Sequence, residues 1–433
     1  MRWRGLVIAL ALLAVLLPIP TPSAQAQGPS GLAEADLVPV LVEVEAMLAE
    51  RPHARDEAWR TLSQPRLPRI APDPGSPDHA RVTFAWRGGP ETTSVRLDSV
   101  INVAQARQPV TDYRADFTLP LTRIEGSDIW VLTLSVPRDV AAVYSFLVED
   151  GAGLQRWSDP ANPSRLGGVD GESLLRLDRA PSAGIHRPLA FDAVIEPQGL
   201  EIASAALNRS VQVSIYRSPE AADDAPLLIL YDAFLWGQRA PASDLLARLA
   251  ERGDIPPSHL VLIDQLDGAS ANQAYADQAV FVAEELLPAL RREAGLAPRR
   301  ETTLLAGASR RGLSATLTAL ARPDLIGGVI SLSGSFYWAP EGEDAEWARR
   351  QLDRAPANPP RFHLAAGRLE TVLTSTNRGH VMLDTNTAMA EALAAQGYPA
   401  RLTVFPGGHD IAGWRSALAD GLTALLGEPT PVD

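Results

Sequence analysis

The pattern of hydrophobic and polar positions divides the chain near residue 190. Before that point, apolar and polar residues alternate in short runs, with Gly, Pro and Asp between them. A period of two is typical of antiparallel strands that are buried on one face. The runs are ARVTFAWRG (80–88), TSVRLDSV (93–100), DFTLPLTRI (116–124), DIWVLTLSV (128–136) and AVYSFLVED (142–150). They predict a small all-β, immunoglobulin-like sandwich domain over residues 61–189.

After residue 190, continuous apolar runs alternate with helical patterns. The apolar runs are 226–232, 259–267, 301–309, 326–334, 361–367 and 401–408, and the helical patterns are 242–253, 278–294, 310–321, 344–354, 380–396 and 411–426. This alternation predicts an α/β domain over residues 190–430, with a mostly parallel sheet covered on both faces. In such a sheet, ligands bind beyond the carboxyl ends of the strands. Functional side chains are therefore expected at these strand ends.

Three further segments precede the sandwich. Residues 1–26 run from basic to apolar and end on Ala-Gln-Ala, which is the order of a secretory signal peptide. The apolar run is shorter than the ~20 residues that cross a membrane. We therefore expect cleavage after Ala26 and a periplasmic or secreted protein without stable membrane insertion. Residues 27–60 have helical spacing, and the proline-rich residues 64–77 are typical of a linker.

Composition narrows the classes of function. The formal net charge of −13 argues against nucleic-acid binding. The chain has no Cys, which excludes thiol catalysis and leaves the exported protein without disulfides. No pair of His has the spacing of metal ligands, which argues against a zinc enzyme. The serine chemistry considered below needs no cofactor, so we expect none.

The segment LLAGASRRGLSA (304–315) joins the end of an apolar strand to the start of a helix through a serine. This is the pattern of a nucleophile elbow, usually G-x-S-x-G, which exposes the serine hydroxyl above the sheet. Gly307 and Ser309 fit the pattern, whereas Arg311 occupies the position of the second glycine. The alternative is a serine that only caps the helix. The motif makes Ser309 the candidate nucleophile.

A nucleophilic serine needs a base and an acid, in the chain order Ser, acid, His that α/β-hydrolases share. His409 follows the last apolar run and is the candidate base. Glu370 is the first carboxylate after the run 361–367 and is the candidate acid, with Asp384 as the alternative. Asp410 is expected to cap the following helix.

Seven segments resemble, in the same order, the enterochelin (ferric-enterobactin) esterases of the esterase D-like group of α/β-hydrolases. They are YDAFLW, LVLIDQLD, EELLPALRREAG, LLAGASRRGLSA, SLSGSFYW, AAGRLE and GGHDIAGWRSAL, within residues 195–427. A weaker resemblance extends to the sandwich through ARVTFAWRG, EGSDIWVLTL and SDPANP. The resemblance implies an α/β-hydrolase fold and serine hydrolysis of esters, in the type members the trilactone of a catecholate siderophore. It implies Ser309 as nucleophile and His409 as base, and Glu370 matches the acidic position approximately.

The chain departs from these esterases in two places. Arg311 replaces a glycine of the elbow. In the family, an Arg and then Glu-Leu commonly follow the strand LVLIDQLD and line the substrate site, but here the sequence is GASANQAYADQ (268–278). A ferric siderophore, which is anionic, would lack that cation unless Arg310, Arg311 or Arg239 replaces it.

We predict an exported serine esterase that acts on a small-molecule ester. The oxyanion would be held by the N–H of Arg310 and by that of Ala233 or Phe234, in the loop after the run 226–232. Trp236 and Trp338 are candidate substrate contacts, and ordinary core packing is the alternative for both.

Two other functions stay open. The first is an esterase of the same fold that removes feruloyl or acetyl groups from other esters. The second is a non-catalytic binding protein with a decayed elbow, for which Arg311 is the only support.

Overall fold

A computed structural model describes residues 38–105, 118–168, 171–181, 196–264, 271–371 and 379–427. The predicted signal peptide, residues 1–26, lies outside the described residues. No helix in the described ranges is both long enough and apolar enough to cross a membrane.

Two short helices open the described chain, where the sequence pattern predicted one helical segment. They are α1 (Pro39–Glu50) and α2 (Arg55–Ser63). Pro52 follows the end of α1, and a proline disfavours helical backbone in the residue before it, so the helix stops at Glu50. Leu41 and Leu62 are among the buried residues of these helices, which pack against the first β-sheet.

The described residues between 69 and 176 contain ten strands in two antiparallel sheets. They are β1 (Arg69–Pro72), β2 (His79–Arg87), β3 (Ser94–Ser99), β4 (Thr118–Pro120), β5 (Thr122–Arg123), β6 (Ile129–Pro137), β7 (Ala141–Asp150), β8 (Gly153–Trp157), β9 (Arg165–Leu166) and β10 (Glu172–Arg176). The sheets have the orders β1-β2-β6-β5 and β4-β3-β7-β10-β9, and β8 pairs with β7. Apolar side chains of both sheets, such as Phe84 and Phe146, share one hydrophobic cluster.

The predicted linker over residues 64–77 is wrong in its centre, because β1 pairs there with β2. The strand is at the edge of its sheet, where proline is tolerated since one row of main-chain groups has no ladder partner. A high proline content in this segment was therefore compatible with an edge strand as well as with a turn.

The second half of the chain forms one eight-stranded sheet. Its strands are β11 (Gln198–Ser204), β12 (Arg209–Tyr216), β13 (Leu227–Tyr231), β14 (His259–Ile263), β15 (Thr303–Ala308), β16 (Gly328–Leu332), β17 (Arg361–Gly367) and β18 (Ala400–Phe405). The order is β11-β12-β14-β13-β15-β16-β17-β18. The pairs β11–β12 and β12–β14 are antiparallel, and the remaining pairs are parallel. This is the mostly parallel sheet that the apolar runs predicted.

Helices cover both faces of this sheet. They are α3 (Ala242–Glu251), α4 (Ala271–Val280), α5 (Leu287–Glu293), α6 (Arg310–Ala321), α7 (Trp347–Arg350), α8 (Met382–Ala395) and α9 (Ile411–Leu426), with a π-helical turn (Phe281–Leu286) between α4 and α5. Every residue of β13, β14 and β16 is buried, as expected for strands covered on both sides. The carboxyl ends of the parallel strands therefore define one edge, where Ser309, Glu370 and His409 follow β15, β17 and β18.

The N-terminal sheets pack against the second half of the chain through β7, which contacts α9. Ala141, Val143 and Leu174 belong to the same hydrophobic cluster as Phe405 and Trp414. A continuous apolar core therefore joins the two halves of the described chain.

Candidate active site

Ser309 lies at a strained turn between β15 and α6. Its φ of 56° and ψ of −124° fall in a region that non-glycine residues rarely adopt. The Ser309 N–H donates to the Leu332 carbonyl at 2.8 Å, and the Ser309 carbonyl accepts from the Ser335 N–H at 3.1 Å. These bonds to the end of β16 hold the turn, whose geometry is that of a nucleophile elbow.

The alternative of a helix-capping serine is not observed, because the Ser309 side chain makes no capping hydrogen bond. Its hydroxyl contacts the imidazole of His409 instead.

Close packing explains which glycines of the elbow motif are kept. A Cβ on Gly312 would lie 2.6 Å from Ser331 Oγ and 3.2 Å from Gly334 Cα, so only glycine fits between α6 and β16. A Cβ on Gly307 would lie 2.7 Å from the Cβ of Arg311. The absence of a side chain on Gly307 thus makes room for Arg311, and the elbow accommodates the departure from G-x-S-x-G.

The three candidate triad residues are connected by hydrogen bonds. His409 Nε2 lies 3.1 Å from Ser309 Oγ, and His409 Nδ1 lies 2.5 Å from Glu370 Oε1. A carboxylate oxygen only accepts, so Nδ1–H donates to Glu370 and Nε2 is left to accept the serine proton. This tautomer is the one that a general base in a Ser-His-acid arrangement requires.

Glu370 is buried and its second oxygen is fully engaged. Oε2 accepts from the Gly367 N–H at 2.6 Å and from Ser333 Oγ at 2.8 Å. Ser333 Oγ in turn accepts from Trp414 Nε1–H at 2.8 Å. These bonds fix the orientation of the carboxylate, so that Oε1 points to His409.

Trp414 also contacts His409 directly. Its indole and the His409 imidazole meet edge to face, with centroids 4.7 Å apart. Ser333 and Trp414 were not among the sequence candidates, although both lie in segments that carried the family resemblance. Ser333 directly follows β16 and Trp414 lies in the first turn of α9, just after GGHD, and this placement was the signal that could have identified them.

The alternative acid and the other carboxylate fall elsewhere. Asp384 is exposed in the first turn of α8. Asp410 accepts from the N–H groups of Ala412 and Gly413 at the start of α9, which confirms the expected helix cap.

The candidate oxyanion donors lie at neighbouring strand ends. Arg310 is the first residue of α6, where N–H groups have no partner within the helix. Ala233 and Phe234 follow β13, which pairs with β15 and so ends beside Ser309. The turn that carries them is closed by Asp232, whose φ is 76° and whose side chain accepts from the Leu235 N–H. The Phe234 ring is 52% exposed.

The two tryptophans proposed as substrate contacts differ in their surroundings. Trp236 is fully buried in the core, so the expectation of a substrate contact is corrected in favour of packing. Trp338 is partly exposed and packs edge to face on Tyr275 and Trp347. Trp236 is buried because β13 leads into a short π-helical segment, Leu235–Arg239, which turns its side chain inward.

The three arginines considered as replacements for the missing cation also differ. Arg239 forms an ion pair with Glu172 of β10. Arg310 is exposed beside the nucleophile. Burial raises the pKa of Tyr275 to about 12, and the positive charges of Arg310 and Arg311 oppose this shift.

Family models match both halves of the chain. The model described as putative esterase matches residues 204–425, and the model described as enterochelin esterase, N-terminal, matches residues 81–185.

Individual relatives agree with these matches. The chain is 28% identical over 408 residues to the iron(III) enterobactin esterase of Escherichia coli, covering 85% of this chain and 95% of the relative. It is 27% identical over 412 residues to an iron(III) salmochelin esterase of Escherichia coli, covering 85% and 93%. The solved structure of the Shigella flexneri enterobactin esterase in the presence of enterobactin has a TM-score of 0.69 at 25% identity, covering 86% of this chain and 98% of that one.

The esterase model spans more than half of the chain, and the enterochelin model spans most of the two sheets before it. The chain therefore belongs to the esterase family, is of the enterochelin esterase type within it, and is a carboxylic ester hydrolase.

Proposed function

We propose that this esterase uses Ser309 as nucleophile, His409 as general base and Glu370 as the acid that orients the base. The observation that carries the proposal is the continuous hydrogen-bond chain from Ser309 Oγ through both imidazole nitrogens to Glu370. The strained backbone of Ser309 supports it, since such strain is typical of residues held for chemistry.

In this mechanism, His409 Nε2 takes the proton of Ser309 as Oγ attacks the ester carbonyl. The negative charge on the carbonyl oxygen is stabilised by the N–H of Arg310 and by an N–H of Ala233 or Phe234. Collapse of the intermediate breaks the ester bond, and the imidazolium returns the proton to the leaving alcohol. Water then repeats the sequence on the acyl-enzyme and releases the acid.

We further propose that the substrate is an anionic aromatic ester of the catecholate siderophore type. The support is the pair of relatives that act, by their names, on iron(III) enterobactin and iron(III) salmochelin. The surface beside the nucleophile is compatible, because Arg310 is exposed there and Trp338 forms an aromatic row with Tyr275 and Trp347. Arg310 would replace the cation that the segment 268–278 lacks.

The test is an ester panel on the purified mature protein, with Ser309→Ala as the control. We expect hydrolysis of linear and cyclic catechoyl-serine esters, hydrolysis of p-nitrophenyl butyrate, and labelling of Ser309 by a fluorophosphonate. Activity on feruloyl esters without activity on catechoyl-serine esters would favour the other esterase. Absence of labelling and of all turnover would favour the binding protein.

We also propose that the protein is exported and that the two N-terminal sheets form an immunoglobulin-like sandwich. The support for export is the order of charges and apolar residues in residues 1–26. Mass spectrometry of the periplasmic or secreted protein should find Gln27 at the N-terminus. An intact Met1 in a cytosolic fraction would contradict export.

A further inference from the structure

The loop that carries His409 is attached to the N-terminal sheets through the next residue, Asp410. One oxygen of this buried carboxylate accepts from the N–H groups of Ala412 and Gly413, at 2.9 and 3.0 Å. The other oxygen accepts from the main-chain N–H of Val143 in β7, at 3.0 Å. A single side chain thus caps α9 and binds the neighbouring domain.

The Val143 N–H is available because the partner strand ends next to it. The β3–β7 ladder ends at the pair Ser99–Tyr144. Val143 is the neighbour of Tyr144 in β7 and lies just beyond the end of this ladder. The Val143 carbonyl accepts from Ser99 Oγ at 2.9 Å, and in a strand the N–H and C=O of one residue point to the same edge. Asp410 therefore occupies the position that β3 leaves open.

Two further contacts join the same loops to the N-terminal sheets. Gly408, directly before His409, packs so closely on Val100 that a Cβ on the glycine would lie 2.9 Å from Val100 Cβ. Arg368, two residues before Glu370, forms a bidentate ion pair with Asp139, at 2.8 and 2.9 Å. The three residues that these loops contact in the N-terminal half are Val100, Asp139 and Val143, and all three lie on or near β7.

The two loops are also joined to each other. The Leu369 N–H donates to the Gly407 carbonyl at 2.8 Å, and the Arg368 N–H donates to the Phe405 carbonyl at 2.9 Å. A displacement of either loop would therefore move both His409 and Glu370 relative to Ser309.

We propose that the N-terminal domain positions the catalytic base, and that Asp410 is the positioning residue, through the bond from the Val143 N–H. The inference rests on the proposed triad. The domain thereby serves the chemistry by fixing the distance from His409 Nε2 to Ser309 Oγ. Displacing a catalytic group by about 1 Å can lower the rate about 10²-fold, so one such bond has a measurable effect.

Asp410→Asn is the central variant for a test. Whichever way the amide turns, an NH2 group faces an N–H donor, either that of Val143 or those at the start of α9. We expect kcat to fall about 10- to 100-fold with KM within about twofold, since the reacting geometry changes and the substrate surface does not. Asp324→Asn, which removes the charge of an exposed partner of Arg322, is the matched control with wild-type kcat.

Asp410→Ser separates positioning from helix capping. Serine caps helices about as well as aspartate, but its shorter side chain does not reach Val143. We expect the same loss of kcat as in Asp410→Asn, with α9 intact by circular dichroism and the enzyme assayed well below its Tm. A residue that only stabilises the fold would lower Tm and leave the kcat of the folded enzyme unchanged.

Ser309→Ala, measured alongside, distinguishes the failure of this inference from that of the triad. If Ser309→Ala is inactive while both Asp410 variants keep the wild-type kcat, the positioning role is overturned and the triad stands. Wild-type turnover by Ser309→Ala would overturn the triad and the inference together.

Discussion

The candidate nucleophile, Ser309, and its two proposed partners, Glu370 and His409, are held in different ways. The Ser309 turn is fixed within its own sheet, by hydrogen bonds to the end of β16 and by the close approach of Gly312 to Ser331. The loops of Glu370 and His409 lie farther toward the end of that sheet and have contacts in both halves of the chain, among them Arg368 with Asp139 and Asp410 with Val143. One half of the candidate site is therefore determined locally, and the other by how the two halves of the chain pack.

The largest effect is expected where the two regions meet, at the Ser309–His409 hydrogen bond. Ser309→Ala and His409→Ala should each lower kcat by about 10³-fold or more, and the double variant should be little worse, because the pair acts as one unit. Steady-state kinetics with p-nitrophenyl butyrate measures this. Additive losses would mean that the two residues do not share a step.

A smaller loss is expected at the acid. Glu370→Gln should lower kcat by about 10²- to 10³-fold, because the amide orients the imidazole less well and does not stabilise the imidazolium. Ser333→Ala removes one of the donors to Glu370 and should cost about tenfold. If Asp384→Asn is damaging and Glu370→Gln is not, the assignment of the acid is wrong.

The buried carboxylate between the two domains gives the chain a specific pH dependence. Burial raises the pKa of Asp410 to about 7, its three N–H donors oppose the shift, and the nearby Glu172 adds to it. The folded state therefore binds the proton more tightly than the unfolded state. The free energy of unfolding should fall as pH rises from about 4 to about 7, by at most about 1.4 kcal/mol per pH unit.

The free energy of unfolding of Asp410→Asn should not show this fall between about pH 4 and about pH 7. Urea unfolding of the wild type and the variant at about pH 5 and about pH 8 measures the difference. Burial lowers the pKa of His363 to about 4, which contributes with the opposite sign, but both proteins carry His363 and the difference cancels it. Parallel stability curves for wild type and variant would contradict the assignment to Asp410.

Substitution of one glycine in each region tests whether the Ser309 turn and the His409 loop are held in different ways. Gly408→Ala introduces a Cβ that meets Val100 of the other domain, and should lower kcat about tenfold by displacing the base loop. Gly312→Ala meets Ser331 and Gly334 of its own sheet, and should lower stability by about 1–3 kcal/mol through overpacking. Adding Val100→Gly should restore kcat in Gly408→Ala and should not restore the stability of Gly312→Ala. Equal responses of the two variants to Val100→Gly would contradict the proposed difference between the two regions.

The smallest effect is expected at Arg311. Arg311→Gly removes the side chain for which Gly307 leaves room and adds the helix cost of glycine, about 1 kcal/mol or less near a helix end. Turnover of a neutral ester should persist within a few-fold, whereas the KM for an anionic aryl ester should rise, because a positive charge near Tyr275 is lost. A wild type that is inert to every ester, combined with an active Arg311→Gly, would show that the arginine blocks the elbow.

Much of the fold could be predicted from hydrophobic periodicity, because the interactions that form helices and helix caps join residues close together in the sequence. The predicted strand 361–367 is β17, and the predicted helices 310–321 and 411–426 are α6 and α9. Asp410 caps α9 two and three residues away, which sequence spacing can anticipate. The strand β1 was missed because edge pairing depends on a partner elsewhere in the chain.

The amino-acid sequence alone was enough to predict the order of elements, the position of the elbow and the three side chains that can form the site. Each of these is encoded by neighbouring residues through hydrophobic period, turn chemistry and strand ends. Only the tertiary structure decided that Trp236 is buried, that Ser333 and Trp414 orient Glu370, and that Val143 binds Asp410 across 267 residues of chain. Such contacts have no sequence period, because they arise where the ends of separate strands and separate domains come together in space.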